Sequence, residues 1–254
     1  MVMCLAVLAL LLAAPASDVT REMTLEGGIK LAINAPIGAK PSLLIVYAAP
    51  NGSSALETLG RRPRSPAEWR WDTQHVLAQV RMYRRLRQVE SVAVAVLEAP
   101  GKSWPAWRAE QAREAGETPA LRARRAAGAR TLIQEVRRRA APDARVVLMA
   151  HSGGGSLILA FLESGEVPSW VVRIALLDAV YSFDHTRHAE PLLTWLSGDA
   201  RRIFVSLAYD DRFVELDGKP IVPPDGGTQR ATARLRSALD ARRPLTKTLV
   251  GDCD

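Results

Sequence analysis

At 254 residues, 48% of them hydrophobic, the chain is long enough to bury one sizeable core and too apolar to be a disordered tail. Lys and Arg outnumber Asp and Glu by 34 to 27, a net charge of +7. Much of that excess is arginine spread along helix-like stretches such as Arg122 to Arg139, interleaved with alanine. This reads as a solvated helix face, and no nucleic-acid partner is expected, because a nucleic-acid binder gathers its charge on one face.

Val2 to Ala14 is an unbroken apolar run of signal-peptide length, too short for a comfortable membrane span. Ala14-Pro15-Ala16 supplies the small residues of a cleavage site. Residues 1–16 are therefore expected to be a signal peptide cut after Ala16, and 17–254 one secreted or periplasmic domain with no stable membrane span. Cleavage removes Cys4 and leaves Cys253 alone, so no intrachain disulfide is expected.

Strand-like and helix-like segments then alternate, the pattern of a mostly parallel sheet with helices on both faces. Met23 to Ala35 reads as a strand pair broken at Gly27-Gly28. Ser42 to Ala48, Ser91 to Glu98, Arg145 to Ala150, Trp170 to Leu177 and Arg202 to Ala208 read as buried strands. Asp72 to Arg87, Trp107 to Arg139 (interrupted near Gly116 to Pro119), Ser152 to Glu163 and Thr228 to Ala241 read as helices. Thr246 to Val250 reads as a last short strand.

The sharpest motif is Val146-Val147-Leu148-Met149-Ala150-His151-Ser152-Gly153-Gly154-Gly155-Ser156-Leu157-Ile158, a buried strand, a sharp turn and an apolar helix. A serine at such a turn is pushed out of the sheet edge by strained backbone, and small residues two before and two after it let strand and helix approach. Ala150 and Gly154 meet that need, and the N–H of Gly153 faces a developing oxyanion at the helix start. The loop lacks the Gly-Lys-Ser or Gly-Lys-Thr of a phosphate-cradling turn.

From Ser42 to the segment at Thr246 the sequence resembles the α/β-hydrolase family. The resemblance implies a serine hydrolase acting on an ester or related acyl bond of a small-molecule or acyl substrate, with Ser152 as nucleophile and no cofactor. It places a second oxyanion donor in the loop after the early strand, where Pro50-Asn51-Gly52 turns and the N–H groups of Gly52 or Ser53 are the candidates. It places an acid at a later strand end: Asp210 first, Asp211 close behind, Asp178 as the alternative.

The base is the difficulty. The family's histidine follows the final strand, whereas this sequence closes Leu249-Val250-Gly251-Asp252-Cys253-Asp254. His185 and His188 lie in a segment that becomes a lid in the family and are the candidate bases; as metal ligands they make only a weak site. Otherwise the natural chain continues past Asp254, which the family order of the other parts favours. His75 reads as a helix residue and His151 as an elbow neighbour facing away. A binding or scaffold protein of the same fold, without catalysis, is the rival reading. Trp104 and Trp107 either line an acyl or sugar site or pack a helix. The sequence does not fix an oligomeric state.

Overall fold

The computed structural model describes residues 17–60, 75–86, 91–110, 118–216, 218–220 and 222–242. The expected signal peptide and the strand at Thr246 to Val250 lie outside them.

The chain opens with β1 (Asp18–Thr24) and β2 (Lys30–Pro36), an antiparallel pair joined by a turn in which Gly27 and Gly28 take positive φ. There follow β3 (Leu43–Ala48), a short helix α1 (Ala55–Leu59), α2 (Val76–Leu86), β4 (Val92–Glu98), α3 (Trp104–Glu110) and the long α4 (Pro119–Ala140). After β5 (Arg145–His151) come α5 (Gly155–Leu162), β6 (Val171–Leu177), α6 (His185–Ser197), β7 (Ile203–Leu207), a small hairpin of β8 (Glu215–Leu216) and β9 (Lys219–Pro220), and α7 (Thr228–Asp240).

Seven strands form one sheet in the order β1-β2-β4-β3-β5-β6-β7. Every pair from β4 to β7 is parallel, and β2 meets β4 antiparallel. Helices cover both faces. One face packs Leu44, Val46 and Leu148 against α3, α4, α5 and α7; the other packs Tyr47, Val94 and Val96 against α1 and α2. The inner strands are buried on both faces, which is why they read as continuous apolar runs instead of alternating ones. This is the mostly parallel α/β architecture expected from the sequence, with the strand order of an α/β-hydrolase.

Element boundaries move by a few residues. β1 begins at Asp18, five residues before the expected strand. The long charged helix divides into α3 and α4. The expected helix at Ser152 begins as a single tight turn, Ser152–Gly154, and becomes α-helical at Gly155. Three elements were not foreseen: α1, α6 and the β8–β9 hairpin.

The glycines of this turn differ from others in what surrounds them. A Cβ on Gly155 would fall inside the Ala179 carbonyl, while one on Gly128 of α4 would meet nothing. Gly155→Ala is expected to lower stability by about 1–3 kcal/mol through overpacking. Gly128→Ala is expected to raise it by about 0.5–1 kcal/mol, because alanine loses less backbone entropy in a helix. Urea unfolding of the two variants measures both.

Candidate active site

β5 delivers the chain to the C-terminal edge of the sheet, and Ser152 turns it back. Ser152 has φ +51°, a left-handed conformation that costs an L-residue roughly 1–2 kcal/mol. Of the four non-glycine residues with positive φ among the described residues, Ser152 lines the site, Asp178 precedes its lining residue Ala179, and the Lys102 carbonyl accepts from Gly52, next to Asn51. Such strain gathers where the surrounding structure over-determines a functional conformation.

The turn is held by close backbone approach. A side chain on Gly154 would strike the carbonyls of Ala48 and Ala49, and one on Gly153 would strike the Asn51 amide. Ala150, fully buried two residues before Ser152, is small enough. Every residue of α5 is buried, so the helix start cannot drift.

Ser152 and Gly153 open onto a cavity of about 270 Å³, shared with Asn51, Ser156, Tyr181 and Ser182. A wider groove of about 910 Å³ between α6 and α7 adjoins it, since Tyr181 and Ser182 line both. His185, Arg234 and Arg242 belong to the groove.

The loop after β3 is where the sequence-based expectation needs correction. Gly52 N–H donates to the Lys102 carbonyl (2.9 Å), and Ser53 N–H to the Pro50 carbonyl (3.3 Å). Both expected oxyanion donors are therefore bonded within the protein, and neither residue lines the Ser152 cavity. The residue of this turn that does is Asn51. The loop is clamped by Trp104, whose indole N–H donates to the Ala49 carbonyl (3.1 Å) and whose backbone N–H donates to Asn51 Oδ1 (3.3 Å). Trp104 is thus a buried clamp, with Trp107 packed edge-on at 5.5 Å.

The three candidate acids separate by environment. Asp210, preferred from sequence, is exposed and faces Arg212, which donates through Nε (2.7 Å) and Nη2. That guanidinium holds the Asp210 carboxyl down at about 2. Both its oxygens are occupied, and it is turned to solvent. Asp211 is buried, and its Oδ2 accepts from the Thr228 N–H (2.6 Å) and hydroxyl (3.2 Å) at the start of α7. Its Oδ1 is buried without a hydrogen-bond partner among the described residues. Asp178, at the end of β6, accepts from the Thr228 hydroxyl and from Tyr181 Oη (3.2 Å). Burial, with the Asp178 charge beside it, pushes the Tyr181 phenol up.

The two histidines of α6 also part company. His188 is completely buried on α6. Its Nδ1 accepts the Asp184 N–H (2.9 Å), so Nε2 carries the proton and donates to Glu163 Oε1 (2.8 Å). Arg108 and Arg187 converge on the same oxygen at 2.6 and 3.4 Å. Burial acts to raise the Glu163 carboxyl, and these partners outweigh it, leaving it below its usual range. His188 therefore joins α6 to α5 and α3, and its ring faces Glu163 instead of Ser152. His185, exposed at the first residue of α6, lines the groove beside the Ser152 cavity. Among the described residues no histidine hydrogen-bonds the Ser152 hydroxyl, and no cluster of His, Cys, Asp and Glu is placed to hold a metal ion.

No protein-family model and no curated protein matches the sequence. Among solved structures, similarity is found to a cold-adapted esterase from an Arctic intertidal metagenomic library, 12% identical, covering 87% of this chain and 79% of that one, with TM-score 0.43. A thermophilic carboxylesterase cloned from a metagenomic library is 15% identical over 70% of this chain and 52% of its own, with TM-score 0.38. The Cif epoxide hydrolase of Acinetobacter nosocomialis is 12% identical, with 68% of this chain and 43% of that chain covered and TM-score 0.36. This chain thus spans less than half of that epoxide hydrolase. The strand order and the strand–turn–helix at Ser152 define the class: an α/β-hydrolase fold.

The two histidines of α6 are predicted to respond unequally to truncation. His188→Ala leaves Glu163 short of a donor in a buried cluster and opens a cavity, at an expected cost of about 2–4 kcal/mol. His185→Ala is expected to stay within about 0.5 kcal/mol of wild type. Thermal unfolding of both variants checks this; equal losses would contradict the assignment.

Proposed function

We propose that the chain is an exported serine hydrolase that cleaves an ester or related acyl bond of a small-molecule substrate without a cofactor. The observation that carries this reading is Ser152 itself, held at φ +51° between β5 and α5 and open to a cavity that Gly153 also lines.

In the reaction, Ser152 Oγ attacks the acyl carbon as its proton passes to a base, and the carbonyl electron pair moves onto oxygen. The pair returns to re-form the carbonyl, the C–O bond to the leaving alcohol breaks, and the alkoxide takes the proton from the base. Water then repeats the sequence on the acyl-enzyme, giving acid and free Ser152. The Gly153 N–H, at the start of a buried helix, is placed to stabilise the oxyanion. Asp211 takes the acid's place ahead of Asp210 and Asp178, because its buried Oδ1 has an acceptor to offer an imidazole N–H. The base assigned by this reading is His185, the one histidine among the described residues lining either of the two adjoining cavities.

Wild type is expected to label with a fluorophosphonate probe and Ser152→Ala to lose that labelling while keeping its unfolding temperature. Equal labelling of the two folded proteins would remove Ser152 from the reaction. A folded wild type that neither labels nor hydrolyses p-nitrophenyl acetate would favour a non-catalytic binding protein. His185→Ala is expected to lower ester hydrolysis by about 10²–10⁴-fold, the scale of a general base; an unchanged rate would exclude His185.

Export is proposed from the apolar run before Ala16. Protein collected outside the cytoplasm is expected to begin at Ser17, and an N-terminal sequence beginning at Met1 would contradict the assignment.

A further inference from the structure

We infer that the side-chain amide of Asn51 is the second oxyanion donor of the Ser152 site. This rests on the reading of Ser152 as the nucleophile. It replaces the backbone donors that the loop after β3 was expected to supply.

Those backbone donors are committed. Gly52 N–H and Ser53 N–H bond to the carbonyls of Lys102 and Pro50, and Pro50 itself has no N–H. Gly153 therefore supplies one N–H, and a tetrahedral oxyanion has room for a second donor.

Asn51 is placed to provide it. Its amide lies against Gly153 in the space a Cβ would take, next to the residue that gives the first donor. It lines the cavity onto which Ser152 opens. Its orientation is fixed by chemistry: the Trp104 backbone N–H can only donate, so the amide atom it meets at 3.3 Å is the oxygen. Nδ2, with two hydrogens, is then the end left to donate.

The mount is rigid. Trp104 grips the loop twice, through its backbone N–H on Asn51 and its indole N–H on Ala49. Lys102 holds Gly52, and the absence of a side chain on Gly154 lets the carbonyls of Ala48 and Ala49 close onto the turn. A donor held in this way needs no reorganisation as charge develops, which is the condition for a large contribution to rate. As the Ser152 Oγ–carbon bond forms, the carbonyl electron pair moves to oxygen, and that oxygen accepts from Gly153 N–H and Asn51 Nδ2–H. When the leaving group departs, the pair returns and both bonds slacken.

The test compares Asn51→Ala and Asn51→Asp with wild type. Asn51→Ala keeps the backbone N–H and removes only the amide; Asn51→Asp keeps the shape and loses the donor. Both are expected to lower kcat for a p-nitrophenyl ester by about 10²–10³ with little change in KM. A trifluoromethyl ketone, which forms a tetrahedral adduct with an oxyanion, should lose affinity by a similar factor. A merely structural role would instead shift the unfolding temperature or KM. If wild type labels at Ser152 and Asn51→Ala keeps kcat and ketone affinity within threefold, the Asn51 assignment fails and the nucleophile stands. If wild type does not label at Ser152, both fail together.

Discussion

Between residues 153–155 and the ends of β3 and β6 there is space for backbone only. Gly154 faces the Ala48 and Ala49 carbonyls, Gly155 the Ala179 carbonyl, and Gly153 the Asn51 amide. This close approach bends the chain at Ser152 and sends α5 straight into the core. The strain of a left-handed serine, roughly 1–2 kcal/mol, is small beside what holds it. α5 buries Leu157, Ile158, Leu159, Phe161 and Leu162, each contributing about 1.5–3 kcal/mol. The site and the core are thus one packing unit, and the cavity wall is made by the same residues that fix the turn.

That dependence explains what the sequence made legible. The inner strands are apolar runs because both faces are covered, and the glycines after Ser152 announce backbone contact wherever they fold. α6 was obscured by its own chemistry. His185 and His188 read as candidate bases, and Pro191 lies inside the helix. The buried stripe of His188, Ala189, Leu192, Leu193 and Trp195 and the Asp184 cap were available signals of a helix, and the stripe includes the histidine. Likewise Ser54 and Glu57 form a capping box that marks α1. Other details depend on partners distant in sequence. The Gly52 N–H is removed from the site by a carbonyl fifty residues on, and nothing local separates Asp210 from Asp211.

Glu163 gives α5 a second anchor at its far end. It gathers Arg108 from α3 and Arg187 and His188 from α6 around one buried carboxylate oxygen. Desolvation offsets much of the attraction in such a cluster, so its net contribution to stability is small even though removal of one partner is costly. Its effect here is on arrangement. α3 carries Pro105 and α6 follows directly from the Tyr181–Asp184 loop, so the cluster sets two walls of the cavity relative to α5. A neutral His188 with its proton on Nε2 suits this place, because the Asp184 N–H already occupies Nδ1.

The carboxylates at the start of α7 have the opposite character: their hydrogen bonding among the described residues is left incomplete. Thr228 sits between Asp178 and Asp211 and has one hydroxyl proton for both. The N-terminus of α7 compensates, since its first N–H donates to Asp211 and its dipole favours negative charge there. Gly227, with φ +85°, has no Cβ where one would strike the Asp211 carboxylate, so the chain can pass close over it. All of this secures Oδ2 and leaves Oδ1 buried and, among the described residues, unpaired. An unpaired buried acceptor costs about 1–3 kcal/mol, enough to be removed by any polar neighbour that reached it. Asp210, one residue away, shows how simply a carboxylate is satisfied when nothing else is asked of it: Arg212 takes both oxygens in the open. Asp211 is instead buried against the start of α7, with Oδ2 bonded to Thr228 and Oδ1 left without a partner among the described residues.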